Sequence, residues 1–151
     1  MEMEKIINNF LEENLKGFIY KEAIDIIKEH KEKKREILLV SNSLEIIVKK
    51  VSDFLGIKNY IGTKLETVNN KFTGKILGNI VYGSNKINLI QEFIKNNNLK
   101  ITNSWAYTDH ISDSQLLKST SNSFVVNANR KLFKEANKNK WRVLKFSKTL
   151  I

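Results

Sequence analysis

The chain has 151 residues, 41% hydrophobic and 28% charged, with no cysteine and a formal net charge of +10. That length and balance describe one folded domain rather than a disordered or fibrous chain; the lack of cysteine excludes disulfides, thiolate nucleophiles and zinc–thiolate sites and makes a reducing cytoplasm the expected compartment. Of the 26 basic residues only Arg35, Arg130 and Arg142 are arginine, and lysine is spread along a chain with 19 asparagines and no proline, so the charge reads as a compositional bias and nucleic acid is not the expected partner.

No apolar run approaches the roughly 20 residues of a membrane span, and Met1 to Lys5 alternates acidic and apolar residues, unlike a signal peptide. Ile6, Ile7, Phe10, Leu11 and Leu15 recur at helical spacing, as do Ala23, Ile24 and Ile27 before the charged run His30 to Glu36, so two helices open the chain. Ile37-Leu38-Leu39-Val40 is a buried-strand run, followed by the polar turn Ser41-Asn42-Ser43 and an amphipathic helix carrying Leu44, Ile47, Val48, Val51 and Leu55. Strand, turn and helix in that order build parallel α/β sheets.

From Tyr60 to Tyr82 polar and apolar residues alternate about Asn69-Asn70, which predicts a hairpin. Ser84 can cap a helix burying Ile87, Ile90, Phe93 and Ile94. Parallel strands follow near 103–107, 123–126 and 142–146, the last two separated by a lysine-rich helical stretch from Arg130 to Lys140. No repeat and no linker divides the chain.

Four aspartates are present, and two of them, Asp109 and Asp113, lie four apart directly after the strand ending at Tyr107. At the carboxyl end of a parallel strand they would face the crevice where open α/β sheets bind ligands. They are the hard oxygen donors that Mg²⁺ takes alongside water and phosphate oxygens. The plainer reading makes Asp113 the cap of a short helix through Leu116 and Leu117, with Asp109 in a solvated turn. Ser41 can likewise hold an anion at a helix start or simply close a turn. Lys86 is either one solvated lysine among 23 or an ammonium that neutralises a phosphate.

The order and context of these signals resemble the haloacid dehalogenase superfamily, in its phosphoserine-phosphatase-like branch. Leu39-Val40-Ser41-Asn42-Ser43 resembles the second motif of that branch, and Tyr82-Gly83-x-x-Lys86 its third-motif lysine. Tyr107-Thr108-Asp109-x-x-x-Asp113 resembles the metal-binding motif. The stretches Leu55-Gly56-Ile57, Ile61-Gly62-Thr63-Lys64-Leu65-Glu66, Phe72-Thr73-Gly74-Lys75-Ile76, Val125-Val126-Asn127-Ala128 and Trp141-Arg142-Val143-Leu144 extend the likeness over roughly residues 18–146.

The resemblance implies an α/β, Rossmann-like core: a mostly parallel sheet with helices on both faces and a small β-hairpin. It implies Mg²⁺ as cofactor, held by Asp109 and Asp113, and a small phosphorylated metabolite as substrate. Ser41 and Asn42 would contact the phosphoryl group, and Lys86 would bridge that group and the nucleophile. Residues 1–17 resemble the last helix of a cap domain, and 18–151 an incomplete hydrolase core.

One departure matters. The family's nucleophile is the first aspartate of an Asp-x-Asp motif on an early strand, and no aspartate precedes Asp25. Asp25 itself lies in the helical pattern Ala23-Ile24-Asp25-Ile26-Ile27 and is expected to face solvent. Two readings follow. One is the C-terminal portion of a phosphomonoester hydrolase that is inactive alone, with a separate N-terminal polypeptide supplying the first strand and the cap. The other is a non-catalytic product, either a gene remnant or a phosphate-binding pseudo-phosphatase. Upstream coding sequence for an Asp-x-Asp strand would favour the first.

Overall fold

A computed structural model describes residues 2–151. Its residues fall into two compact units, Met1–Tyr82 with Ser147–Ile151, and Gly83–Phe146.

The first unit begins with helices α1 (Glu2–Phe18) and α2 (Lys21–Glu32), followed by strand β1 (Leu38–Leu44), helix α3 (Glu45–Leu55), strand β2 (Asn59–Thr63) and the pair β3 (Leu65–Val68) and β4 (Lys71–Ile76). β1 and β2 are parallel and joined through α3, which packs on both. The expected hairpin is real but shorter than the alternation suggested. Residues 59–63 are not one of its limbs; they extend the parallel sheet beside β1, and only β3 and β4 pair antiparallel. The turn between them is Asn69-Asn70, both at positive φ (49° and 58°), the two-residue geometry that matches strand twist and that asparagine tolerates.

Two glycines fix the β1–α3–β2 unit. Gly56, at φ 59°, ends α3 in the left-handed conformation, and the buried Ser52 hydroxyl donates to the Ile57 carbonyl at 2.7 Å just beyond it. Gly62 lies against the start of α3, where a Cβ would come 2.6 Å from the Glu45 Cα, so any side chain there would push β2 away from the helix. The last residues of the chain are held to the start of α2. The Glu22 carboxylate accepts from the Ser147 and Lys148 amides at 2.9 and 3.3 Å, and the Ser147 bond is the main reason its pKa lies below the usual glutamate value.

The second unit contains α4 (Gly83–Asn96), β5 (Trp105–Thr108), α5 (Ser114–Lys118), β6 (Asn122–Val126), α6 (Arg130–Asn139) and β7 (Arg142–Leu144). Its three strands form one parallel sheet in the order β5-β6-β7. Leu117, Val125, Leu132 and Ala136 are at most 1% exposed and form its core with Ala106, while Ile111, Leu116 and Trp141 pack around them. Helix α6 starts because the Asn129 side chain accepts from the Leu132 amide at 2.9 Å, and it stops at Lys140, which turns left-handed at φ 58°. The parallel α/β architecture is the one the sequence indicates, with the strands expected at 103–107 and 142–146 found at 105–108 and 142–144.

Candidate functional site

In the first unit the candidate residues occupy an irregularity of β1. Val40 is paired with Ile61 and Leu44 with Thr63, so Ser41, Asn42 and Ser43 stand against Gly62 alone. The extra residues bulge from the ladder, a feature common beside functional sites because it re-aims side chains. Ser41 is half-buried, and its hydroxyl accepts from the Ser43 amide at 3.2 Å, the local turn that serine commonly makes. The bulge is secured from β2: the buried Thr63 hydroxyl donates to the Asn42 carbonyl at 2.9 Å and accepts from the Val81 amide at 3.2 Å. The exposed Asn42 side chain makes no hydrogen bond within the described residues.

The second unit presents a different arrangement. Lys86, in the first turn of α4, is buried, and its ammonium lies 2.7 Å from Asp113 Oδ1 with both side chains about one-tenth exposed (11% and 10%). The other oxygen, Oδ2, accepts from the Thr108 hydroxyl at 2.7 Å, and that hydroxyl accepts in turn from the His110 amide at 3.1 Å. Asp113 is thus held at both oxygens and makes no capping bond to α5, which removes the helix-cap reading. Between Thr108 and Asp113 the chain forms a 3₁₀ turn, Ile111–Asp113, whose cap is His110: its ring nitrogen accepts from the Ser112 amide at 3.2 Å. Asp109 follows β5 directly. Its side chain is exposed, and its carboxylate has no partner among the described residues.

An isolated buried ammonium would be strongly disfavoured, whereas one paired to a carboxylate that is itself hydrogen-bonded can persist. The pairing fixes where the charge of Lys86 sits, and an unengaged carboxylate lies four residues away in the same loop. The donor chemistry fits Mg²⁺, which takes one or two carboxylates and completes its shell with water and phosphate oxygens. Asp109 offers an uncommitted carboxylate, and Asp113 retains lone pairs beyond those used by Lys86 and Thr108.

Thr63 and Thr108 are the residues that sequence reasoning passed over. Each is a threonine closing an apolar strand, a pattern visible in Ile61-Gly62-Thr63 and Ala106-Tyr107-Thr108 but common in strands without such a role. Asp25, as expected, is exposed on α2.

Parallel strands, one with a hydroxyl-bearing bulge in the first unit and one followed by a lysine–carboxylate pair beside an unengaged carboxylate in the second, define an α/β protein. The chain belongs to the haloacid dehalogenase-like hydrolase family, whose model matches residues 2–118. It is 31% identical over 147 residues to a probable phosphatase of Mycobacterium tuberculosis, covering 97% of this chain and 51% of that one. A Bordetella pertussis protein of unknown function has the same fold at TM-score 0.88 and 19% identity, over 95% of this chain and 66% of that one. A probable phosphoserine phosphatase from Vibrio cholerae superposes at TM-score 0.72 and 16% identity, over 89% of this chain and 41% of its own, so the two share a fold. The chain spans about half the length of the curated relatives it matches.

Proposed function

We propose that this chain is the C-terminal portion of a Mg²⁺-dependent phosphatase acting on a small phosphorylated metabolite. The observation that carries the reading is the buried Lys86–Asp113 pair at 2.7 Å beside the unengaged carboxylate of Asp109. Asp113 orients the ammonium of Lys86, which neutralises charge on the phosphoryl group as it transfers. Asp109, supported by Asp113, would hold Mg²⁺, which when bound would supply further charge neutralisation. In the first unit the family resemblance assigns phosphate contact to Ser41 and Asn42, whose hydroxyl and amide donors are presented on a bulge that Thr63 keeps in place.

What these residues do not supply is a nucleophile. With no aspartate before Asp25, and Asp25 on a solvent-facing helix position, the covalent route that splits hydrolysis into two easier steps is closed to the chain alone. Helix α1 is the residual cap helix in this reading, with the core from residue 18 onward.

Hydrolysis of p-nitrophenyl phosphate with and without Mg²⁺ tests this. The purified chain is expected to be inactive, and a polypeptide carrying the family's Asp-x-Asp strand and cap is expected to restore turnover that Asp109→Asn abolishes. Turnover by the chain alone that survives Asp109→Asn would refute the site. Binding of complement without turnover would leave a non-catalytic phosphate-binding protein.

A further inference from the structure

Between β5 and α5 one residue engages the Asp109–Asp113 loop through three of its own groups. The His110 amide donates to the Thr108 hydroxyl at 3.1 Å, its carbonyl accepts from the Asp113 amide at 3.2 Å, and its ring Nδ1 accepts from the Ser112 amide at 3.2 Å. The first two bonds belong to the backbone, and any residue but proline could make both. The third needs the side chain.

A backbone amide can only donate, so Nδ1 carries a lone pair and the ring proton sits on Nε2. The Ser112 hydroxyl, 2.8 Å from the same nitrogen, is therefore a donor to it as well. It has one proton to give. The more distant Asp113 Oδ1, at 3.5 Å, is thereby left to the Lys86 ammonium at 2.7 Å. The ring occupies both donors of Ser112, and Asp113 keeps the two partners, Lys86 and Thr108, that fix its carboxylate. Asparagine, aspartate and serine are the usual caps at such a position. An aspartate there would add a third carboxylate to a loop that already carries Asp109 and Asp113, whereas the imidazole makes the bond without a negative charge.

We propose that His110 is a positioning residue: its ring, in the Nε2–H tautomer, holds the turn from Ile111 to Asp113 so that Asp113 stays on Lys86 and Thr108 and in place beside Asp109 for a metal. The link to a metal rests on the phosphatase reading; the link to Asp113 does not. Water can replace a bond made by an exposed ring, so losing it should loosen the loop and spare the rest of the fold. Groups that orient metal-binding side chains in this way act chiefly on metal affinity.

Heteronuclear spectra of the metal-free full chain at mildly alkaline pH test the proposal. The His110 ring should carry its proton on Nε2, and the Lys86 ammonium, buried against Asp113, should give a slowly exchanging nitrogen–proton signal. His110→Ala should broaden or abolish the Lys86 signal. His110→Asn, whose side-chain oxygen can accept from the Ser112 amide, should restore it. Mg²⁺ titration followed at the Asp109 and Asp113 amides should show affinity about tenfold weaker in His110→Ala and close to the original in His110→Asn. A ring proton on Nδ1, a Lys86 signal missing from the original chain or unchanged in His110→Ala, or His110→Asn no better than His110→Ala would each overturn the proposal. So would unchanged Mg²⁺ affinity in His110→Ala, or lost dispersion across its whole spectrum, which would make the ring a general stability element. If the original chain shows no saturable Mg²⁺ shifts, the metal site of the proposed function fails, and the Lys86 signal still decides the role of His110.

Discussion

Two strand-end loops in this protein look alike in sequence and are built on different principles. In the bulge near the end of β1, Ser41-Asn42-Ser43 satisfies itself largely at short range, the Ser41 hydroxyl taking the Ser43 amide two residues on. After β5, the polar groups reach across the fold: Asp113 takes an ammonium from a residue 27 positions earlier and a hydroxyl from the end of the strand. A local turn can be changed with little consequence because water replaces what is lost. A buried pair cannot, since losing one partner leaves the other's charge buried without its counter-charge.

That contrast can be broken at its strongest point first. Asp113→Ala leaves the Lys86 ammonium buried without its partner and should cost about 3–5 kcal/mol in urea unfolding. Replacing both residues, Lys86→Met with Asp113→Leu, should recover most of that loss; if the double variant is as unstable as the single one, the pair is not what the loop depends on. Thr63→Val tests a long-range tie of the β1 bulge. Losing the bonds to Asn42 and Val81 should cost roughly 1–3 kcal/mol, less than Asp113→Ala because no charge is stranded.

The first unit has its own buried titratable group, which gives a pH contrast. His30, 9% exposed, is held below the usual histidine pKa of 6.5, chiefly by burial and then by the charge of Arg35. The folded state therefore binds its proton less readily than the unfolded chain. Its penalty is absent above the unfolded pKa and grows as pH falls through it towards the folded value. Thermal melts from pH 7 to 5 should show a loss of stability that His30→Asn reduces. The smallest effect is expected from Ser41→Ala, within about 0.5 kcal/mol, because the hydroxyl serves a partly exposed local turn. A cost near that of Thr63→Val would mean that the β1 loop also depends on longer-range bonds.

The parallel sheets, the hairpin turn at Asn69-Asn70 and the helices were legible because they follow from short-range rules: apolar runs of strand length, helical periodicity and turn chemistry. The boundary at residues 59–63 was not, since Tyr60-Ile61-Gly62-Thr63 alternates as well for one limb of a hairpin as for a parallel strand. What decided it was the close approach of Gly62 to α3, a contact with no local signature. The order of the candidate residues along the chain carries the family likeness, but not their local roles. Asp113 fits a helix cap by sequence alone, and only the folded position of Lys86 turns it into the buried counter-charge. Periodicity and residue type fix what a segment can form with its neighbours in sequence. Which polar groups lose their water together is set by packing between distant segments, and that determines which of them must pair.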